Sequence, residues 1–189
     1  RGTPSVLCQS SEVVVDLQGL AEALVVDHRY VVWLDSARHH PVTGRYSILG
    51  WDPWLILESF GDRSTLTTSD AATKPRGNPL EILRQILRKY PGPPGSDLPP
   101  AGVGVFVVFG YELNRWIERL PPPKPMDSHV PGLLALGMRM LIIVDHVDGK
   151  SWLVSVVDPH QPQAAAAREA EDRLEALEAL LRTFSREKS

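Results

Sequence analysis

Asp35, Ser36, Arg45 and Ser47 are the polar side chains best spaced to act together. Asp35 and Ser36 close one apolar run, V-V-W-L at Val31–Leu34, and Arg45 and Ser47 open the next, Y-S-I-L-G-W at residues 46–51. A carboxylate, a guanidinium and two hydroxyls gathered at one end of an apolar platform have the chemistry to hold a small zwitterion. The same residues can equally form the polar rim of a plain hairpin.

Other patterns carry less. His39 and His40 are adjacent, which turns their rings apart on an extended backbone, so two of the six histidines are loop residues rather than metal ligands. Gly102-x-Gly104 lacks the third glycine of a dinucleotide loop, because position 107 is Val, and close packing in a strand is the better account. No G-x-S-x-G elbow and no cysteine–histidine pairing suggests a nucleophile. Asp145-His146 leads into Asp148-Gly149, where a turn role suffices. Y-E-L-N-R-W-I-E-R at residues 111–119 places Glu112, Arg115 and Glu118 at i,i+3 spacing beside Tyr111 and Trp116, an exposed charged helix or a docking face. The pattern predicts neither a catalytic constellation nor a metal site.

The elements that position the rim follow from periodicity. Residues 13–15 read as a short strand, and Asp16 caps a helix with Leu17, Leu20, Ala21, Leu24 and Val25 on one face. The two opening strands are followed by strands at residues 55–58 and 64–67, an antiparallel meander by the shortness of its connections. Asn78-Pro79-Leu80-Glu81 starts a helix that runs to Lys89, with Leu80, Leu83, Ile86 and Leu87 inward. Five prolines in residues 91–100 make a surface connector. Residues 102–111 read as a strand buried on both faces, and residues 112–120 as a helix. A hairpin of residues 134–144 and 151–157 turns at Asp148-Gly149. A closing helix over residues 164–184 carries the stripe Ala170, Leu174, Leu177, Leu181 and Phe184, with Glu169–Arg173 and Glu178–Arg182 pairs on its wet side. Strands and helices without βαβ alternation predict an α+β fold, largely antiparallel β-sheets with flanking helices.

Composition sets the outer bounds. A chain of 189 residues, 43% hydrophobic and 23% charged, is read as a single domain over residues 1–189 with a substantial core. A net charge of -3 with scattered basic residues argues against nucleic acid as partner. The longest apolar run, residues 103–109, is far short of the roughly 18 residues that span a bilayer. One cysteine, Cys8, excludes an internal disulfide and favours a reducing, cytoplasmic setting. The chain starts at Arg1 rather than Met, and is read as trimmed from something longer.

Two stretches together are specific. W-L-D-S at residues 33–36, with ten residues between it and Ser47, resembles the L-L-E-S-x10-S element of the anthranilate synthase large subunit. G-R-Y-S-I-L-G-W-D-P at residues 44–53 is similar to the G-R-Y-S-x-x-G-x-D-P that overlaps it in that family. F-G-Y-E-L-N-R-W-I-E-R-L-P at residues 109–121 resembles the family's G-Y-x-x-x-R-x-x-E-x-L-P, and Asp145-His146 falls where the family commonly has it.

The family holds component I of anthranilate synthase, on the way to tryptophan, and of para-aminobenzoate (aminodeoxychorismate) synthase, on the way to folate. The resemblance implies the N-terminal-domain fold of these proteins, a non-catalytic domain. It also implies that a C-terminal domain of the same chain binds chorismate and Mg2+, and that a glutamine amidotransferase delivers ammonia. It implies no cofactor in this segment, and a segment inactive alone within a transferase or lyase. Asp35 in place of Glu, and the E-R-L-P ending, lean toward the para-aminobenzoate branch, with anthranilate synthase or a stand-alone binding module as alternatives. Carried over residue by residue, Leu34, Asp35, Ser36 and Ser47 match the family's tryptophan site. The shorter Asp35 and the large ring of Trp33 are departures from it.

Overall fold

A computed structural model describes residues 5–13, 15–36, 38, 40, 42–92, 104–119 and 129–184. The chain is an α+β protein of antiparallel strands and flanking helices. The strands and helices divide between two compact units, one within Arg1–Pro53, Gly92–Gly104 and Met138–Ser189, the other within Trp54–Pro91 and Val105–Gly137.

The first unit holds the hairpin rim. Strand β1 (Ser5–Ser11) pairs with β8 (Lys150–Val157), β8 with β7 (Leu133–Asp145), and β2 (Val31–Leu34) with β3 (Tyr46–Phe60), all antiparallel. β7 and β3 are neighbours in the sheet. Helix α1 (Leu17–Asp27) begins where the Asp16 carboxylate accepts the Gly19 N–H, as the sequence predicts for its cap. Its Leu17, Leu20, Ala21 and Leu24 are buried with Leu177 and Leu181 of α3 (Gln163–Thr183) and with Leu49, Trp51, Met140, Ile142 and Leu153 of the sheet. The strand residues in that set alternate along their strands, so one sheet face carries both helices. Burying a large side chain of this kind stabilises by roughly 1.5–3 kcal/mol. Val25 is exposed instead of inward, because it falls off the Leu17–Leu24 stripe. The Glu169–Arg173 pair forms on α3, at 3.5 Å.

In this unit the backbone of β3 leaves the ordinary strand region at Asp52, whose φ of 54° is left-handed and rare outside glycine. The Arg139 guanidinium holds the spot, donating to the Asp52 carboxylate and the Pro53 carbonyl at 3.2 Å each, and to the buried Asp158 at 3.0 Å. The strand therefore continues past Pro53, and the two separate strands expected at residues 46–51 and 55–58 are one.

In the second unit the remainder of β3 pairs with β4 (Arg63–Thr68), β4 with β5 (Ala72–Thr73), and β6 (Phe106–Phe109) with the first part of β7. Helix α2 (Pro79–Lys89) has the predicted bounds, and the Asn78 side chain accepts the Leu80 N–H. Pro79, Ile82, Leu83 and Ile86 face inward, whereas Leu87 is exposed, one position off the stripe. Gly137 lies under the Trp54 indole, where a Cβ would come within 3.1 Å of the ring, and Trp54 meets Tyr90 edge-on.

Several expectations are corrected. β6 is short and half exposed rather than buried on both faces, because Val108 and Phe109 in its second half, on opposite faces of the strand, both lie open. Among the described residues nothing lies within 4 Å of the would-be Cβ of Gly104, so none of their backbone packs on it. The helix expected over residues 112–120 is a 3-10 helix at Tyr111–Trp116, with Glu112 and Arg115 a loose 4.0 Å apart. The N-terminal strand lies at Ser5–Ser11 rather than residues 13–15, where Val15 makes only a lone bridge. Gly102, the prolines after Gly92, Leu120 and its following prolines, His39 and Pro41 lie outside the described residues.

Candidate functional site

The rim is set by register. Leu34 lies opposite Ile48, so one further step along the hairpin brings Asp35 opposite Ser47. The loop between them is closed at its base by two backbone bonds between His40 and Gly44, at 3.3 and 3.1 Å. His40 Nδ1 accepts the Val42 and Thr43 N–H groups at 3.2 and 3.3 Å, which makes it a turn residue, as expected of a loop histidine. Gly44 has no room for a side chain: a Cβ would sit 1.9 Å from the Arg38 carbonyl oxygen.

Within that frame the polar groups bond mainly to each other. The Ser36 N–H donates to Ser47 Oγ at 3.0 Å, and the Ser36 hydroxyl donates to the Tyr46 carbonyl at 2.7 Å. Ser47 is fully buried, its hydroxyl donates to Asp35 Oδ1 at 3.0 Å, and its oxygen lies 2.7 Å from His146 Nε2. The His146 N–H donates to the Arg45 carbonyl at 2.8 Å. Of the four residues predicted for an effector site, Leu34 and Asp35 are exposed, Ser36 is half-buried, and Ser47 lies inside as the support of the other two.

Arg45 turns away from the rim. Its Nε and Nη2 donate to Asp145 Oδ2 at 2.8 and 2.6 Å, and Nη2 also reaches Asp148 at 2.8 Å. The Asp145 side chain is fully buried and caps the β7–β8 turn by accepting the Val147 and Asp148 N–H groups. Burial pushes its carboxyl up, but the Arg45 guanidinium and those two N–H groups outweigh burial and hold it below the ordinary aspartate value. The bond to Asp145 raises Arg45 in turn. The zwitterion reading thus loses its guanidinium and keeps its carboxylate.

Asp145 and His146 have more than a turn role, and sequence reasoning missed it. They face Arg45 and Ser47 across 100 and 99 residues of chain, and the available signal was a charged pair ending a strand just before an Asp-Gly turn.

What remains open to a ligand is acceptor chemistry. Asp35 has carboxylate capacity beyond the Ser47 bond, and Ser36 Oγ can still accept, since its proton is on Tyr46. Trp33 and Leu34, 39% and 51% exposed, add apolar surface on the two opposite faces of β2 leading to Asp35. An ammonium on an apolar body suits this set. A divalent cation does not suit the acidic pair nearby, because the Arg45 guanidinium already occupies Asp145 Oδ2 and Asp148 Oδ2, and no group of three metal-ligating side chains occurs among the described residues.

Comparison with known proteins now places the chain. Its fold matches anthranilate synthase component I from Streptococcus pneumoniae with a TM-score of 0.57 at 17% identity, over 75% of this chain and 31% of that one. It is 38% identical over 131 residues to anthranilate synthase component 1 of Synechocystis, covering 68% of this chain and 26% of that protein. It is 32% identical over 109 residues to aminodeoxychorismate synthase component 1 of Escherichia coli, covering 57% of this chain and 24% of that protein. No protein-family model matches. The chain belongs to the family formed by component 1 of these two synthases, and spans about a quarter of the length of the curated relatives it matches. Among the described residues no helix is long and apolar enough to cross a membrane.

Proposed function

We propose that the chain is the N-terminal, non-catalytic part of a component 1 enzyme that aminates chorismate, and that its hairpin rim is an amino-acid effector site. The observation that carries the effector reading is the exposed Asp35 carboxylate, held in place by buried Ser47 beside the Ser36 hydroxyl and an apolar surface. An α-ammonium bound there makes charge-assisted hydrogen bonds, each contributing roughly 1.5–3 kcal/mol when well made. Tryptophan fits the apolar side of the reading. In this reading chorismate and magnesium are bound by a C-terminal domain of the same chain, and a glutamine amidotransferase supplies ammonia.

Two branches fit the family. Asp35 and the E-R-L-P ending favour aminodeoxychorismate synthase, whereas the 38% identity to a component 1 of anthranilate synthase favours the other. The product formed from chorismate by the full-length enzyme with its amidotransferase separates them. For the effector site, calorimetry on the full-length protein is expected to show tryptophan binding that Ser36→Arg abolishes, because the new side chain brings a cation to the ammonium position. Equal affinity in wild type and variant discards the site.

A further inference from the structure

His146 is the residue of the rim whose contact with Ser47 gives it more than the turn role the sequence suggests. Ser47 Oγ is buried and meets three groups: the Ser36 N–H at 3.0 Å, Asp35 Oδ1 at 3.0 Å and His146 Nε2 at 2.7 Å. A hydroxyl has one proton and accepts through two lone pairs. The Ser36 N–H takes one of those acceptor positions. The Asp35 carboxylate only accepts, so it needs the serine proton. The remaining lone pair of Ser47 then faces His146, and it is satisfied only if Nε2 carries a hydrogen. With the hydrogen on Nδ1 instead, Asp35 and Nε2 compete for one proton, and the loser keeps a lone pair facing the buried oxygen with no hydrogen between them.

We infer that His146 is a positioning residue: its Nε2–H fixes the Ser47 proton on Asp35, and so fixes the carboxylate that takes an ammonium-bearing ligand. The relay runs from His146 Nε2–H to Ser47 Oγ, and from Ser47 Oγ–H to Asp35 Oδ1. Each bond orients the next, and no bond is made or broken covalently. The His146 backbone is pinned by its own bond to the Arg45 carbonyl, which keeps the ring at the end of β7 in register with the hairpin. The ligand part of this inference rests on the effector reading above, while the tautomer does not.

Two measurements on the full-length protein test it. Nitrogen-15 spectra of the imidazole at pH 8 are expected to show His146 as the Nε2–H tautomer, and an Nδ1–H tautomer overturns the inference. In calorimetry with tryptophan as the probe, His146→Ala is expected to weaken binding about tenfold, the cost of one well-made hydrogen bond. His146→Gln places an amide N–H near the Nε2 position and is expected to restore most of that affinity. Equal affinity in wild type, Ala and Gln variants overturns the positioning role. Equal weakening in Ala and Gln, with both folded by circular dichroism, also overturns it, because the donor then does nothing. If wild type binds no tryptophan, the effector reading falls and the tautomer alone decides the role of His146.

Discussion

At the scale of single residues, the firmest feature beside the rim is the Arg45–Asp145 pair. A buried carboxylate costs several kcal/mol unless it is paired, and removing one partner of such a pair typically costs about 3 kcal/mol. Arg45→Met is therefore expected to destabilise the protein at neutral pH, because it leaves the buried Asp145 carboxylate without its cation. The pH dependence has a definite sign. The folded value of Asp145 is depressed, so its stabilising contribution is complete above the unfolded value of about 3.9 and is lost as pH falls through the folded one. Chemical denaturation at stepped pH is expected to show the wild type and the variant converging below about pH 4. A gap independent of pH contradicts this account of the pair. Asp35 and Ser47 were legible in the sequence because a hairpin with short strands brings its ends together. Their support from β7 was not, because nothing local in D-H-V-D-G names a partner across 99 residues.

At the scale of elements, turn and cap chemistry decided most of what was legible. Asn78-Pro79 and Asp16 fixed two helix starts correctly, since each side chain satisfies an N–H that the helix cannot. Asn78→Ala is expected to cost about 1 kcal/mol, seen as a fall of about 2–4 °C in the thermal midpoint. Gly44→Ala is expected to be far worse, because its methyl would overlap the Arg38 carbonyl, while Gly104→Ala meets open space and is expected to change stability little. Comparable thermal midpoints for the two alanine variants contradict the tight loop. The misreadings have physical causes. An apolar run at residues 106–109 looks the same whether the whole strand or only its first half is covered. A Pro inside an apolar stretch suggests a strand break, but at Asp52-Pro53 Arg139 binds the left-handed Asp52 and the Pro53 carbonyl and the strand goes on. β1 has polar residues at Gln9, Ser10 and Ser11, too weak a pattern to read, and it is recruited by pairing with β8.

At the scale of the whole molecule, the fold and the family agree, and it is the proposed function that assigns the catalytic chemistry to a C-terminal domain. The α+β class followed from element order, and the family from W-L-D-S, G-R-Y-S and G-Y-E-L-N-R taken together. Neither distinguishes the two branches, because the chain resembles component 1 of both synthases. The most direct test of the central claim is chorismate consumption, with ammonia and magnesium supplied, by this 189-residue chain and by the full-length protein. The account predicts turnover by the full-length protein and none by the chain alone. Turnover by the isolated chain, or none by the full-length protein with its amidotransferase, contradicts it.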